Sequence, residues 1–417
     1  MRLRAAPALP VLIALALGLA ACGGGQGPLK LFVWEQMDPK EQELLDAHLD
    51  AYLAGRTDLL IERVHYETEA LRTQFQNAGL AGGGPELIYG PSDQVGPFSI
   101  MGLIEPLEGL FAPAVLDSFS AESLVRLARP GEDEAHLWAL PDQVGNHLIL
   151  CFNKTLVSEA PKDFAELIEV AKRHTADTDG DGRVDRYGLV FNQKEPFWLV
   201  PFLGAFGGWV MDAAGNPTLD TPAMASALAY LRDLKTVHGV IPRECDYDMA
   251  EALFKEGKAA FLINGPWSWQ GYLDAGVDLG LAPLPPIPGA GHPTPMVSAK
   301  GYSLNANARG AAREEAIRLM AYLTGEAAQV DLARELGVIP SRKAAGARAE
   351  ALHPLVAPSR AQILQGRAMP VVPEMRAIWD VARPELQAVL GGGKDPARAA
   401  ADMQRQALAK IAEMKGE

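Results

Sequence analysis

Cysteine is scarce in this 417-residue chain, with Cys22, Cys151 and Cys245 the only three. So few thiols exclude a disulfide framework, and no Cys-x-x-Cys pair offers a metal site. The eight histidines show no ligand spacing. Positive charge is in deficit: 38 Lys and Arg face 52 Asp and Glu, for a net charge of −14. No basic cluster offsets that balance, which argues against nucleic acid as a partner. Gly-x-Ser-x-Gly, His-Glu-x-x-His and a phosphate-cradling glycine loop are all missing, and with them the common signatures of esterases, zinc peptidases and nucleotide-binding enzymes. Apolar runs long enough to approach a membrane span are lacking too, except at the N-terminus.

That exception has a defined grammar. Arg2 and Arg4 precede an uncharged stretch from Ala5 to Ala21, which ends in Leu19-Ala20-Ala21-Cys22. A basic start, a short apolar run and small residues before a cut site make a signal peptide. With cysteine at the cut, it resembles a bacterial lipoprotein signal, in which the Cys22 thiol receives a diacylglycerol. The competing reading is an ordinary signal peptide with an accidental cysteine. The expectation is that residues 1–21 are removed and 22–28 form a Gly-rich tether. The protein is then exported and lipid-anchored, facing the periplasm or cell exterior. Cys151 and Cys245 could pair in that oxidising compartment, although Cys151 lies in an apolar run that suits a buried thiol.

The remainder is long enough for two lobes with separate cores. Leu29–Trp34, Leu59–Tyr66 and Glu86–Tyr89 read as strands, and helical patterns separate them. Asp38-Pro39 suits a helix start, with Leu45, Leu49, Tyr52 and Leu53 on one face. This strand–helix rhythm predicts an α/β lobe with a mainly parallel sheet. A second lobe starts near Gly145. It has a strand over Leu148–Phe152, a helix to His174 opened by Asp163 and Glu166, and a buried strand over Ala259–Ile263. Thr221-Pro222 opens another helix, with Leu228, Leu231, Leu234 and Val237 on its apolar face. The Pro- and Gly-rich stretch Pro283–Pro295 looks like a crossover. Two helical patterns, Pro373–Leu390 and Pro396–Met414, close the chain.

Three segments carry candidate chemistry. Glu195-Pro196-Phe197-Trp198 sets a carboxylate beside two large aromatics. Sugar rings have apolar faces for aromatics to stack on and hydroxyls for ionised acceptors to bind. Asn264-Gly265-Pro266-Trp267-Ser268-Trp269 leaves the C-terminal end of a strand, where open α/β sheets place ligands. Trp379 follows the Pro370–Pro373 turn on a helix. The bland alternative puts each of these rings in the core.

Taken together, the three segments resemble the maltose-binding-protein-like extracellular solute-binding proteins of ABC sugar importers. The resemblance rests on Asn192–Trp198, Asn264–Trp267 and Pro370–Trp379, with Ala250–Ala260 as the approach to the second, and runs from Leu29 to Lys415. It implies a type II periplasmic-binding-protein fold, with a ligand cleft between two α/β lobes and a multi-strand hinge. Residues 29–142 and 288–340 would form the N-terminal lobe, and residues 143–287 and 341–417 the C-terminal lobe. It further implies a monomeric, non-enzymatic carrier of a maltodextrin-like oligosaccharide with no required cofactor, serving a membrane permease. The implied stacking rings are Phe197, Trp198, Trp267 and Trp379, with Glu195 and Asp93 for hydroxyls. Glu35, Asp38, Tyr89, Gln94 and Asn146 are secondary candidates. Gln94 and Asn146 depart from the charged residues of maltose binders, which leaves the sugar open.

Asp177, Asp179, Asp181 and Asp185, with Gly182 among them, follow the spacing of a calcium loop. Gly188 stands where the last glutamate belongs, so the alternative is an Asp/Gly-rich surface turn; any calcium would be structural. Two rivals remain. One is a glycosidase using Glu195 and Asp93 as its carboxylate pair. The other is a carrier of a different solute, such as another oligosaccharide, a glycerol phosphate or a polyamine. A phosphate would call for Arg or Lys in the cleft, and the motifs supply none.

Overall fold

A computed structural model describes residues 27–415 apart from 130, 131, 133 and 213. The signal peptide and Cys22 lie outside the described residues. No helix among the described residues is long and apolar enough to cross a membrane.

The first lobe is built on a seven-stranded sheet. Its strands run in the order Ile339–Pro340, Leu140–Asn146, Met296–Leu304, Leu87–Pro91, Leu29–Glu35 and Leu59–His65, with Arg367–Ala368 pairing against Met296–Leu304. The three N-terminal strands pair in parallel because the helices Pro39–Leu53 and Thr68–Leu80 carry the chain back between them. Leu45 and Leu49 are buried as their spacing predicts. Met296–Leu304 instead runs antiparallel to both of its long neighbours, Leu87–Pro91 and Leu140–Asn146.

The second lobe holds a four-stranded sheet in the order Leu279–Ala282, Ile149–Asn153, Ala259–Asn264 and Tyr187–Val190. Ala259–Asn264 is buried throughout, which fits its continuous apolar run. The helix Phe164–His174 is capped by Asp163, whose carboxylate accepts the Glu166 N–H at 2.8 Å. It lies so close to the strand Tyr187–Val190 that a Cβ on Gly188 would meet the Ala171 backbone. The helix Pro222–Thr236 is capped by Thr221 and buries Leu228, Leu231 and Leu234. Val237 does not join that face: it follows the helix and is 70% exposed. The helices Glu374–Leu390 and Pro396–Lys415 complete this core through Ile378, Leu386 and Met403.

Three stretches of chain connect the lobes. The chain leaves the first sheet after Asn146 and enters the second at Ile149, and it returns between Ala282 and Met296. It crosses a third time between Ala368 and Glu374. The fold is thus two α/β lobes facing each other across a multi-strand hinge.

Candidate functional site

Two bands of side chains meet where the lobes face each other. The first begins at the C-terminal end of Ala259–Asn264. The Asn264 amide donates to Glu251 at 2.8 Å and to the Tyr272 hydroxyl at 2.7 Å, which pins the turn that follows. Gly265 is required there, because the Trp267 ring occupies the space a Cβ would need. The half-buried Trp267 donates its indole N–H to the Tyr247 hydroxyl at 3.0 Å. Tyr247 also lies 2.7 Å from Ser268 Oγ, and it donates across the interface to Asp38 at 3.1 and 3.2 Å. Lys40 pairs with Asp274 across the same edge at 2.7 Å. Burial, then the nearby charges of Glu41 and Glu251, lift Asp38 well above the usual carboxylate range, against the pull of Lys300 and the Tyr247 hydrogen bond.

Trp198 stands edge-on to both Trp267 and Tyr247, with ring centroids 6.5 and 6.3 Å away. Its indole N–H donates to the Ile263 carbonyl at 2.8 Å, and the ring is 7% exposed. Trp198 is therefore a core residue that presents an edge at the interface. Phe197 packs partly buried beside it, edge-on at 5.7 Å.

The second band runs along the helix Glu374–Leu390. Arg383 holds Glu195 through two bonds of 3.0 and 2.9 Å and lies 3.4 Å from Glu69 of the first lobe. Arg376 pairs with Glu69. Burial opposes ionisation of Glu69, yet Arg72, Arg376 and Arg383 together hold it below its ordinary value. One turn before Arg383, the Trp379 indole N–H donates to Asp93 at 3.1 Å. Arg72 Nη2 bridges both Asp93 oxygens at 2.8 and 2.7 Å. A cavity of about 460 Å³ opens beside this cluster, lined by Arg72, Gln76, Asp93, Gln94, Arg376 and Trp379 among others. That volume suits a small ligand. The lobes touch closely here, since a Cβ on Gly96 would run into the Val371 carbonyl.

The structure thus brings Asp38, Asp93, Glu195, Trp267 and Trp379 to the interface, with Gln94 on the cavity wall, while Phe197 packs beside Trp198 in the second lobe. It corrects two secondary candidates. Glu35 is fully buried and is used inside its own lobe by Arg63 at 2.6 Å, His65 at 3.2 Å and the Met37 N–H at 2.5 Å. Tyr89 is equally buried, its hydroxyl bonded to Asp142 at 3.1 Å and Gln143 at 3.0 Å beneath the hinge. Asn146 sits on the hinge strand and donates to Ser298 at 3.3 Å. In the acidic loop, Asp177, Asp179 and Asp185 bring one oxygen each within 4.8 Å of one another, and Asp181 stays outside that group. Asp181 instead accepts the Arg183 N–H at 2.8 Å.

The sequence reading missed Tyr247, Glu69, Arg72, Arg376 and Arg383. The motifs were read as supplying no Arg or Lys, but Arg376 lies within Pro370–Trp379, and Arg72 and Arg383 join it at the interface, each matched to a carboxylate. Asp93 and Glu195, the carboxylates of the glycosidase alternative, are each taken up by an arginine, Arg72 and Arg383.

The chain is similar to known proteins. A family model for bacterial extracellular solute-binding proteins matches residues 49–355. The maltotriose-binding protein of Pyrococcus abyssi is 29% identical over 387 residues, covering 91% of this chain and 80% of its own. The galactooligosaccharide-binding protein of Bacillus subtilis is 25% identical, covering 93% of this chain and 92% of its own. The structure of a maltose/maltodextrin-binding domain from Bdellovibrio bacteriovorus bound to maltotriose is 41% identical and superposes with a TM-score of 0.87, covering 92% of this chain and all of that one. With most of the chain matched by the family model and that structural likeness at 41% identity, this protein belongs to the bacterial extracellular solute-binding proteins and is not an enzyme.

Proposed function

We propose that this protein captures an oligosaccharide of the maltodextrin type between its lobes and delivers it, unchanged, to the permease of an ABC importer. The interface carries the reading: aromatic rings and ionised acceptors converge there from both lobes. Trp267, Trp379 and Phe197 supply apolar surface for sugar faces. Asp93 and Glu195 accept from hydroxyls, with Asp38, Gln94 and Asn146 as further polar contacts, and Trp198 backs the rings from the core. Relatives that bind maltotriose support the choice of sugar.

A ligand that touches both lobes binds the closed arrangement better and shifts the population toward it. The closed form then docks on the permease, while the lipid on Cys22 and the 22–28 tether keep the protein at the membrane. The two bodies that would move divide at the three crossings, residues 29–146 with 296–368 in one and 149–282 with 374–415 in the other; the strand pairings support assigning the stretch 341–368, expected in the second lobe, to the first. A calcium ion on Asp177, Asp179 and Asp185 would be structural.

Titrating tryptophan fluorescence with maltotriose, galacto-oligosaccharides and unrelated sugars tests the reading. A saturable change with maltotriose, lost in Trp267→Ala, is expected. A response to galacto-oligosaccharides alone would replace the sugar, and silence to every sugar in folded protein would remove the class.

A further inference from the structure

A polar cluster lies inside the first lobe, beneath the loop that carries Asp38. The strand Leu140–Asn146 shifts register against Met296–Leu304. Lys300 pairs with Gln143 and Gly301 with Pro141, which leaves Asp142 as the extra residue of a bulge. Successive strand residues ordinarily point to opposite faces. Here the bulge turns both Asp142 and Gln143 toward Tyr89, whose hydroxyl donates to Asp142 at 3.1 Å and accepts from the Gln143 amide at 3.0 Å. Gln143 also donates to Glu41 at 3.2 Å, and Lys300 reaches both Glu41 oxygens at 2.7 and 2.9 Å. The Asp38 N–H adds a fourth contact to Glu41 at 3.2 Å. A carboxylate has about four acceptor positions, so Glu41 is filled.

Asp142 and Tyr302 are not. Asp142 is 2% exposed, and Tyr89 is the one side chain among the described residues that donates to it. Tyr302 pairs with Tyr89 across the ladder and is equally buried. Burial, then the charges of Asp142, Glu35 and Glu41, raise its hydroxyl well above the usual range, and no hydrogen bond among the described residues relieves it. Buried polar groups left unsatisfied are costly, so a protein keeps them where something else satisfies them. Asp142 and Tyr302 line the same small cavity, about 20 Å³ in volume, walled elsewhere mainly by Met37, Leu44, Leu45, Leu323, Ala328 and Leu332. A single water needs roughly 10–15 Å³ and two to four polar partners. A calcium or magnesium ion needs six or so oxygens, which this mostly apolar wall does not offer.

We propose that this cavity is a binding site for one internal water, which bridges the Asp142 carboxyl and the Tyr302 hydroxyl. The water supplies the partner that each of these groups lacks. It ties the bulged strand Leu140–Asn146 to Met296–Leu304. It also extends the chain of hydrogen bonds that runs from the Asp38 N–H through Glu41, Gln143 and Tyr89 to Asp142. That chain forms the floor on which the Asp38 loop rests. The site lies wholly within the first lobe and stands whatever solute the protein carries.

Crystal structures of the wild-type protein and of Tyr302→Phe, at a resolution that shows ordered water, test it. In wild type one water should lie about 2.5–3.0 Å from both an Asp142 oxygen and the Tyr302 hydroxyl. Tyr302→Phe keeps the ring against Tyr89 and removes one of the water's partners. The water should then be lost or fall to partial occupancy, while the surrounding protein atoms stay in place. Oxygen-17 magnetic relaxation dispersion reads the same site in solution, and should count one long-lived internal water fewer in Tyr302→Phe than in wild type. Four results overturn the proposal: no density in the wild-type cavity, a water there out of reach of Asp142 and Tyr302, an anomalous peak marking a bound metal ion, or a water and a solution count unchanged in Tyr302→Phe. The wild-type structure decides the matter even if the variant does not fold.

Discussion

Tyr247→Phe removes one oxygen from the lobe interface and leaves the ring in place. That oxygen is bonded to Asp38 at 3.1 and 3.2 Å, Ser268 at 2.7 Å and the Trp267 indole at 3.0 Å. The Asp38 contact joins different lobes, so it exists only while they are together. Its loss should destabilise the closed state, whereas the bonds to Ser268 and Trp267 lie within the second lobe and act on both states alike. Hydrogen bonds to charged groups are worth about 1.5–3 kcal/mol. The Tyr247 hydroxyl shares one hydrogen between the two Asp38 oxygens at 3.1 and 3.2 Å, which is long for an O–H donor, so the lower end of that range applies. A loss of about 1.5 kcal/mol predicts roughly 10-fold weaker ligand binding. The phenyl ring still packs against Trp198, so the melting temperature of the ligand-free variant should shift far less. Calorimetric titration with maltotriose, paired with thermal unfolding, separates the two effects. Affinity within twofold of wild type would refute the reasoning.

Other consequences follow from the same geometry. Trp267→Ala should weaken maltotriose binding at least about 10-fold by removing a stacking face, read by titration calorimetry. Glu195→Gln should weaken it by a similar factor, because a charged acceptor is lost and Arg383 is left without its partner at 2.9 Å. Burial, with Glu41 adding to it and Lys300 opposing, pushes Asp142 up to about 7. A raised carboxyl value favours the folded state at low pH, so this group's contribution should fade as pH rises from about 4 toward about 7. Asp142→Asn should flatten that slope, seen as a smaller gap between melting temperatures at pH 5 and pH 8. Cys22→Ser should abolish metabolic lipid labelling and release the protein from membranes on fractionation.

The fold was largely legible because its signals are local. Parallel strands announce themselves as short apolar runs separated by amphipathic helices, and Asp163 and Thr221 cap the helices they precede. The rings of the site were legible for the same reason: each sits in a short motif at a strand end or a turn. Much of the site's electrostatics was not. Arg383 and Glu195 are 188 residues apart in sequence, and Trp379 and Asp93 are 286 apart, so nothing local announces either pair. Glu35 was named only through the family resemblance, which put a polar loop after the first strand. It closes the first strand, but its side chain turns toward Arg63 and His65 on the neighbouring strand rather than toward the interface. Tyr89 failed similarly, because a tyrosine near a strand's end serves a buried network as readily as a ligand. Val237 continued the apolar spacing of its helix, but the helix ends one residue earlier at Thr236.

The central claim is that an oligosaccharide binds between the lobes. A crystal structure of the protein grown with saturating maltotriose tests it most directly. The account predicts sugar between the lobes, stacked on Trp267 or Trp379, with hydroxyls within hydrogen-bond distance of Asp93 or Glu195. Sugar bound elsewhere on the surface, or an interface free of sugar under saturating conditions, would contradict it.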